Sequence, residues 1–300
     1  MLSKLTLGTA QFGLEYGINN RTGKPDINKS IEMLEYAYLN GINSIDTAVA
    51  YGDSETVIGK WIKSYKHDDL FITSKISSIT KLRISENYIA DHIKNQVYSS
   101  LEKLGVSKLD NIMMHDFHDI MKYGEIISKN LRKLKEEGLV SNIGASIYNL
   151  ESIDTFSKYD FDTIQLPGSI FNQSIIESDK LTMLKEKNII TFVRSAFVQG
   201  LVFMNPIELP QYLSGIKDYL VELNDLSSRY KMTITEIAIN YLFNHNNVDS
   251  IVFGVDSLNQ LHEIIAIDKN HRIDKEIIVN EFSKIPEELV DPRNWRILNE

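Results

Sequence analysis

The sequence predicts a single (β/α)8 barrel. Three observations lead there: short apolar runs alternate with amphipathic segments about eight times, the runs read as strands covered on both faces, and no glycine-rich dinucleotide turn follows the first of them. The predicted strands are 5–9, 44–46, 70–76, 111–115, 142–146, 163–166, 189–195 and 250–254. Between them, helical periodicity runs over 30–40, stopped by Gly41, and over 85–104, stopped by Gly105. Further helices are expected over 121–137, before Gly138, and over 235–244 and 257–266. An open doubly wound sheet is the competing architecture, and it usually carries G-x-G-x-x-G after its first strand, which is missing here. At 300 residues one barrel accounts for the whole chain, with long loops near 13–23, 117–123 and 197–214 and a charged tail from about 268.

Composition narrows the chemistry. Hydrophobic residues make up 43% and charged residues 24%, as in ordinary globular chains. The net charge of −9 argues against a broad nucleic-acid or anionic-membrane surface. With no cysteine, disulfides, thiol nucleophiles and thiolate metal sites are ruled out. No apolar run approaches the ~18 residues of a membrane-spanning helix, and Met1-Leu2-Ser3-Lys4 leads directly into a strand-like run, so the expectation is a soluble, cytoplasmic protein. His115 and His118, with Asp116 and Asp119, are too local to make a metal cage without a ligand from elsewhere, and no metal is expected.

Three strands end on polar residues that a barrel core does not need: Asp46, Lys75 and His115. The C-terminal ends of neighbouring barrel strands lie side by side, so these groups should converge on the face that carries barrel active sites. Tyr51, five residues after Asp46, can fold over the same mouth. A phenol is protonated at neutral pH, and an adjacent ammonium should lower its pKa and make it a better acid. Asp46 would keep Lys75 charged, and His115 would donate to a substrate oxygen. The set protonates an oxygen and contains no strong nucleophile, so the missing partner is most simply a hydride donor.

The segment IDTAVAYGDSETVIG (45–59), with the lysine of FITSK, the histidine of IMMHD and the opening LGTAQFG, resembles the aldo-keto reductases over nearly the whole chain. The resemblance implies a (β/α)8 barrel, NADP or NAD as cofactor, and hydride transfer to an aldehyde or ketone, or the reverse alcohol oxidation. It makes Tyr51 the general acid, tuned by Lys75 and Asp46, with His115 orienting the carbonyl. It also implies the cofactor contacts. Gly8, Thr9 and Asp46 lie at the first strands; Ser146 and Gln165 hold the nicotinamide carboxamide; Arg194 stands where an aromatic ring usually stacks, and can stack itself or reach an anionic substrate. Ser195, Phe197, Gln199 and Gly200 follow the pyrophosphate, and Gly254, Ser257, Gln260 and Glu263 follow the adenosine. Ile147 and Ile264 replace asparagines of the family pattern. Gly254 and Gln260 replace the lysine and arginine of many NADP-preferring relatives, and Asp256 adds a carboxylate that would repel a 2′-phosphate, so weak NADP selectivity or outright use of NAD is expected. Two other readings compete: a nicotinamide-binding sensor subunit with little turnover, and an unrelated barrel lyase or isomerase using Lys75 as a Schiff base. The loops around Asn19, Asn20 and Arg21, 118–123 and 197–211 mix polar and aromatic groups, which suits a sugar-like carbonyl.

Overall fold

Alternate residues of a strand face opposite ways, and in this chain that alternation separates two kinds of chemistry. In a computed structural model, which describes residues 2–20, 23–268, 270–271 and 273–295, eight parallel strands close into a barrel in sequence order. They are β1 (Leu5–Gly8), β2 (Ser44–Asp46), β3 (Phe71–Ile76), β4 (Leu109–Met114), β5 (Val140–Ser146), β6 (Thr163–Pro167), β7 (Ile190–Arg194) and β8 (Ser250–Gly254). Their outward side chains, among them Ile45, Ile72, Ile112, Ile143, Ile164, Val193 and Ile251, are buried in one continuous apolar layer under the helices. The inward side chains are largely polar. Thr6 donates to Ser44 Oγ at 2.8 Å and lies 2.6 Å from Ser250 Oγ, while Asn111 links Thr73 and Thr163 at 3.1 and 2.8 Å. A small separate cluster of Met113, Phe192 and Val252, packed on Leu2, Phe71 and Ile190, fills the rest of the interior.

This parity delivers the site. Following the inward face of β3 gives Phe71, Thr73 and Lys75; that of β7 gives Ile190, Phe192 and Arg194. Toward the C-terminal ends the inward positions are polar or small: Gly8, Asp46, Lys75, His115, Ser146, Gln165, Arg194 and Gly254. The register sets Gly8 beside both Asp46 and Gly254, and Ser146 beside Gln165.

The helices are α1 (Ala10–Gly13), α2 (Ile27–Leu39), α3 (Ser54–Ser64), α4 (Ile89–Leu104), α5 (Phe117–Glu136), α6 (Ser152–Phe156), α7 (Asp179–Glu186), α8 (Lys217–Tyr230), α9 (Ile234–Phe243), α10 (Leu258–Ile265), α11 (Lys275–Phe282) and α12 (Glu287–Val290). Gly105 ends α4 in the left-handed conformation with φ 69°, as its position predicted. Two N-termini differ from expectation because the capping residue lies further upstream. Asp26 accepts from the amides of Asn28 and Lys29, so α2 starts at Ile27 rather than at residue 30. Asp116 caps α5 through the amide of His118, so 117–123 is helical and not a mouth loop. Tyr123 alone leaves helical geometry there.

Asp119, in the first turn of α5, is fully buried and does not line the cavity. Its carboxylate accepts from the amides of Ile79 and Thr80, both at 2.8 Å, and from Ser78 Oγ at 3.3 Å. It thereby pins the turn that follows β3. The 197–214 stretch is not a bare loop either. It folds into two 3₁₀ segments, Val198–Phe203 and Gln211–Ile216, anchored by buried Leu201, Val202 and Leu213. The tail forms α11 and α12, with Phe282 against Phe171 at 5.2 Å, and residues 291–293 return to the mouth. Arg21 of the first loop lies outside the described residues.

Replacing Asp119 by alanine leaves the buried Ile79 amide and the half-buried Thr80 amide without this acceptor and should cost about 2–3 kcal/mol. Urea denaturation of the variant measures this, and a loss below about 0.5 kcal/mol would show that the turn after β3 holds itself.

Candidate active site

A cavity of about 540 Å³ opens at the C-terminal ends of the strands. Under it lies a buried ion pair. Lys75 is wholly shielded from solvent and Asp46 is 3% exposed. Lys75 Nζ donates to Asp46 Oδ1 at 2.7 Å, to Oδ2 at 2.6 Å and to the Thr47 carbonyl at 3.0 Å. Those three bonds use all three ammonium donors. Gln165 Nε2 donates a further bond to Asp46 Oδ1 at 2.7 Å. Burial pulls the Lys75 pKa down, and Asp46 pulls it back up. Lys75 does not line the cavity, so the Schiff-base reading loses its nucleophile: the amine is enclosed and fully bonded.

Tyr51 lies above this pair, with Lys75 Nζ 5.2 Å from its ring centre. Its turn is placed by backbone packed on backbone. A Cβ at Gly13 would meet the Tyr51 carbonyl at 1.7 Å, and one at Gly52, whose φ is +56°, would meet the Gly13 carbonyl at 2.4 Å. Only glycine permits that approach. The His115 ring meets the Tyr51 ring edge-on, with centroids 5.4 Å apart and planes at 86°. Both line the cavity, whereas His118 is exposed and lines a separate pocket with Lys81 and Met121. The competition between the two histidines is decided by the capping of α5, which turns His118 outward.

The electrostatics correct one expectation. Lys75 was expected to lower the Tyr51 pKa. Burial instead raises it well above the usual 10, the Asp46 carboxylate raises it further, and Arg194 opposes both. The reason is geometric: Lys75 is spent on Asp46, so the pair presents the phenol with little net positive charge. Tyr51 is held as a phenol. Burial, followed by the cations Lys75 and Arg194, lowers the His115 pKa to about 3, so its imidazole is neutral.

Most residues expected to hold the cofactor line the cavity: Gly8, Thr9, Asp46, Ser146, Gln165, Arg194, Ser195, Phe197, Gln199, Gly200, Gly254, Gln260 and Glu263. Ser257 does not; its Oγ accepts from the Gln260 amide at 3.4 Å and caps α10. Ile147 turns into the apolar layer, and its carbonyl accepts from Arg194 Nη2 at 3.0 Å. Gln199 spans the mouth: its carbonyl accepts from the Ile18 amide at 3.1 Å, and its side chain donates to the Tyr16 hydroxyl at 3.1 Å. Ser195, Val198, Gln199 and Gly200 all have positive φ, which coils this segment so tightly that its backbone borders the cavity. Gln260 folds back to accept from the Asp256 amide at 2.7 Å. The cavity thus runs from Tyr51 and His115 to Glu263 and Ile264 on α10, an extended groove of the kind a dinucleotide fills.

Three wall residues escaped the sequence reading: Tyr148, Asp291 and Arg293. The Tyr148 hydroxyl donates to the His115 carbonyl at 3.2 Å. Arg293 stacks on the Tyr148 ring at 4.1 Å and pairs with Asp291, its Nε at 2.9 Å from each carboxylate oxygen. Tyr148 could have been suspected, since it is two residues beyond inward-facing Ser146. Nothing local marks the tail pair.

Residues 4–280 match the aldo/keto reductase family, and the chain belongs to it. It is 25% identical over 298 residues to an NADH-specific methylglyoxal reductase of Escherichia coli, covering 88% of this chain and 89% of that one. An aldo-keto reductase of Bacillus subtilis, YhdN, is 28% identical over 291 residues, covering 88% and 85%. Among solved structures, a holo-form aldo-keto reductase from Bacillus halodurans superposes with a TM-score of 0.74 at 20% identity, covering 98% of this chain and 95% of that one. A glycerol dehydrogenase from Gluconobacter oxydans gives 0.71 at 21%, covering 97% and 94%. The chain is accordingly an NAD(P)H-dependent oxidoreductase of carbonyl compounds and the corresponding alcohols. Among the described residues no acidic, histidine or cysteine cluster is fit to hold a metal ion, and no helix is long and apolar enough to cross a membrane.

With His115 neutral above about pH 3 and Tyr51 protonated beyond its usual range, kcat/KM for carbonyl reduction should show no inflection from either group between about pH 5 and pH 9. An inflection near pH 6.5 lost in His115→Gln would show a solvated imidazole instead. Stability follows the same shift. Unfolded His115 takes up its proton below about 6.5 and the folded form only below about 3. The contribution is therefore complete above 6.5 and lost as pH falls through that window.

Proposed function

We propose that the chain reduces small hydroxylated aldehydes or ketones with Tyr51 as the proton donor. The carrying observation is the placement of a protonated Tyr51 edge-on to a neutral His115, directly above the Asp46–Lys75 pair. Bound NAD(P)H supplies the hydride that the carbonyl carbon accepts. Tyr51 gives its phenolic proton to the carbonyl oxygen as negative charge develops there. The resulting phenolate lies over the Asp46–Lys75 pair, where the ammonium end of that dipole gives it modest support until water returns the proton. Neutral His115 donates a hydrogen bond that orients the oxygen. In alcohol oxidation the proton moves the other way.

The coenzyme would lie with its nicotinamide near Ser146 and Arg194, its pyrophosphate along 195–200 and its adenosine at α10. Gln165 enters this scheme through Asp46, because its amide nitrogen is already bonded there. NADH is the preferred donor in this reading. Among the described residues, the basic groups of the cavity wall, Arg194, Arg293 and His115, are at the end where the tetrad lies, whereas Asp256 and Glu263 stand at the α10 end. A 2′-phosphate placed beside Asp256 meets a carboxylate rather than a cation. The similarity to an NADH-specific reductase points the same way. The cytoplasm, where nicotinamide coenzymes are recycled, is the proposed location.

Tyr51→Phe should lower kcat by about 10²–10⁴-fold while NADH affinity, read by fluorescence titration, stays within about twofold. Reduction at the wild-type rate would overturn the proton-donor role. NADH should exceed NADPH in kcat/KM by at least about tenfold, a difference of about 1.4 kcal/mol, and Asp256→Ala should narrow the gap. A strong NADPH preference in the wild type would refute the coenzyme assignment.

A further inference from the structure

The charges around the cavity mostly cancel where they stand. Lys75 is matched by Asp46 and Arg293 by Asp291, and the His115 imidazole is neutral. Arg194 is different. Its guanidinium donates to Ser146 Oγ at 3.4 Å, Ser195 Oγ at 3.3 Å and the Ile147 carbonyl at 3.0 Å. All three acceptors are neutral, and among the described residues Arg194 forms no ion pair.

Its position is central. Arg194 acts electrostatically on Tyr51, Lys75, His115 and Tyr148, and its guanidinium lies 5.2 Å from the Tyr148 ring centre, the ring on which Arg293 also stacks. A cation with no ion-pair partner among the described residues thus faces the reacting end of the groove in a chain whose net charge is −9. An unpaired, partly desolvated guanidinium is costly unless something in the working enzyme completes it. Of the cavity carboxylates, Asp256 and Glu263 line the α10 end of the groove; Asp291 feels Arg194 through space, but its hydrogen bonds go to Arg293.

We propose that the substrate is an anionic carbonyl compound, its carboxylate or phosphate held by Arg194 beside the Tyr148–Arg293 wall. The proposal rests on the carbonyl-reductase reading of this cavity. A guanidinium fork matches either oxyanion bidentately. The anion closes the charge balance of the mouth and places its carbonyl against Tyr51 and His115. Arg293, which the Asp291 carboxylate already engages, serves as the flat outer wall and supplies a weaker field.

Matched pairs of substrates test this. Pyruvate against methyl pyruvate isolates a carboxylate, and glyceraldehyde 3-phosphate against glyceraldehyde isolates a phosphate. At least one charged member should exceed its neutral partner tenfold or more in kcat/KM, chiefly through KM, and the pair that does so names the anion. Arg194→Gln should collapse that ratio at least tenfold, and Arg194→Lys should restore part of it. Asp291→Asn, which releases Arg293, should raise the ratio, and it keeps the test alive if Arg194→Gln fails to fold. Equal use of charged and neutral members by the wild type would overturn the inference and leave the reductase reading intact. So would an Arg194→Gln variant that loses both members equally, in step with its NADH affinity, since Arg194 would then be a coenzyme contact only. Failure of the wild type to reduce any of the four compounds, or any other carbonyl, with NADH or NADPH would overturn both.

Discussion

A lysine and an aspartate share the closed floor of the active-site mouth, and everything around them is arranged to make that tolerable. Removing two charges from water costs several kcal/mol per ion before any contact is made. Here all three protons of Lys75 find acceptors, two on Asp46 and one on the Thr47 carbonyl. The carboxylate gains a further donor from Gln165, which spans the barrel from β6. The pair therefore links β2, β3 and β6 at the end where their inward faces meet. Removing either partner would strand the other. Its more consequential effect is on Tyr51. Because the ammonium is bonded to a carboxylate, the phenol feels a dipole rather than a bare cation, and burial decides its protonation. Tyr51 is thereby held protonated, the state that the proposed role of proton donor requires.

The barrel interior explains why the pair can exist at all. A wholly aliphatic interior would have no groups to share with an ion pair. This one carries a belt of hydroxyls and an amide, Thr6, Ser44, Ser250, Thr73, Asn111 and Thr163, that satisfy one another below the site. Stability comes from the outer layer, where Ile and Val side chains pack under the helices. The division lets the inner face vary in polarity toward the mouth without thinning the core. It also concentrates charge there: one balanced pair in the floor, one balanced pair in the tail, and Arg194, which forms no ion pair among the described residues.

Much of this was legible in the chain. The alternation of elements specified the barrel, and all eight strands lie within a few residues of their predicted positions. Asp46, Lys75 and His115 were readable because strand ends in a barrel share one face, so a local pattern has a global consequence. Tyr51 followed from its spacing to Asp46 within one dense motif. The misses have definite causes. Residues 117–123 resemble a loop until Asp116 is seen to cap a helix there. Ser257, expected along the adenosine, lies outside the cavity lining, and its hydroxyl closes the first turn of α10. Tyr148, Asp291 and Arg293 belong to one wall although they are about 140 residues apart, and only long-range packing brings the tail to the mouth.

The amino-acid sequence by itself determined the architecture, the reaction class and the identity of the residues that gather around Tyr51. Those depend on periodicity and on short-range order, which a linear chain displays directly. Tertiary structure decided which charges are cancelled and which are not. The sequence placed Lys75 near Tyr51 and expected an easier acid. The folded molecule sets Lys75 on Asp46, leaves Arg194 facing neutral acceptors, and draws Arg293 onto Asp291. Ionisation responds to burial and to distances of a few ångströms between groups far apart in the chain, and those distances exist only once the barrel has closed.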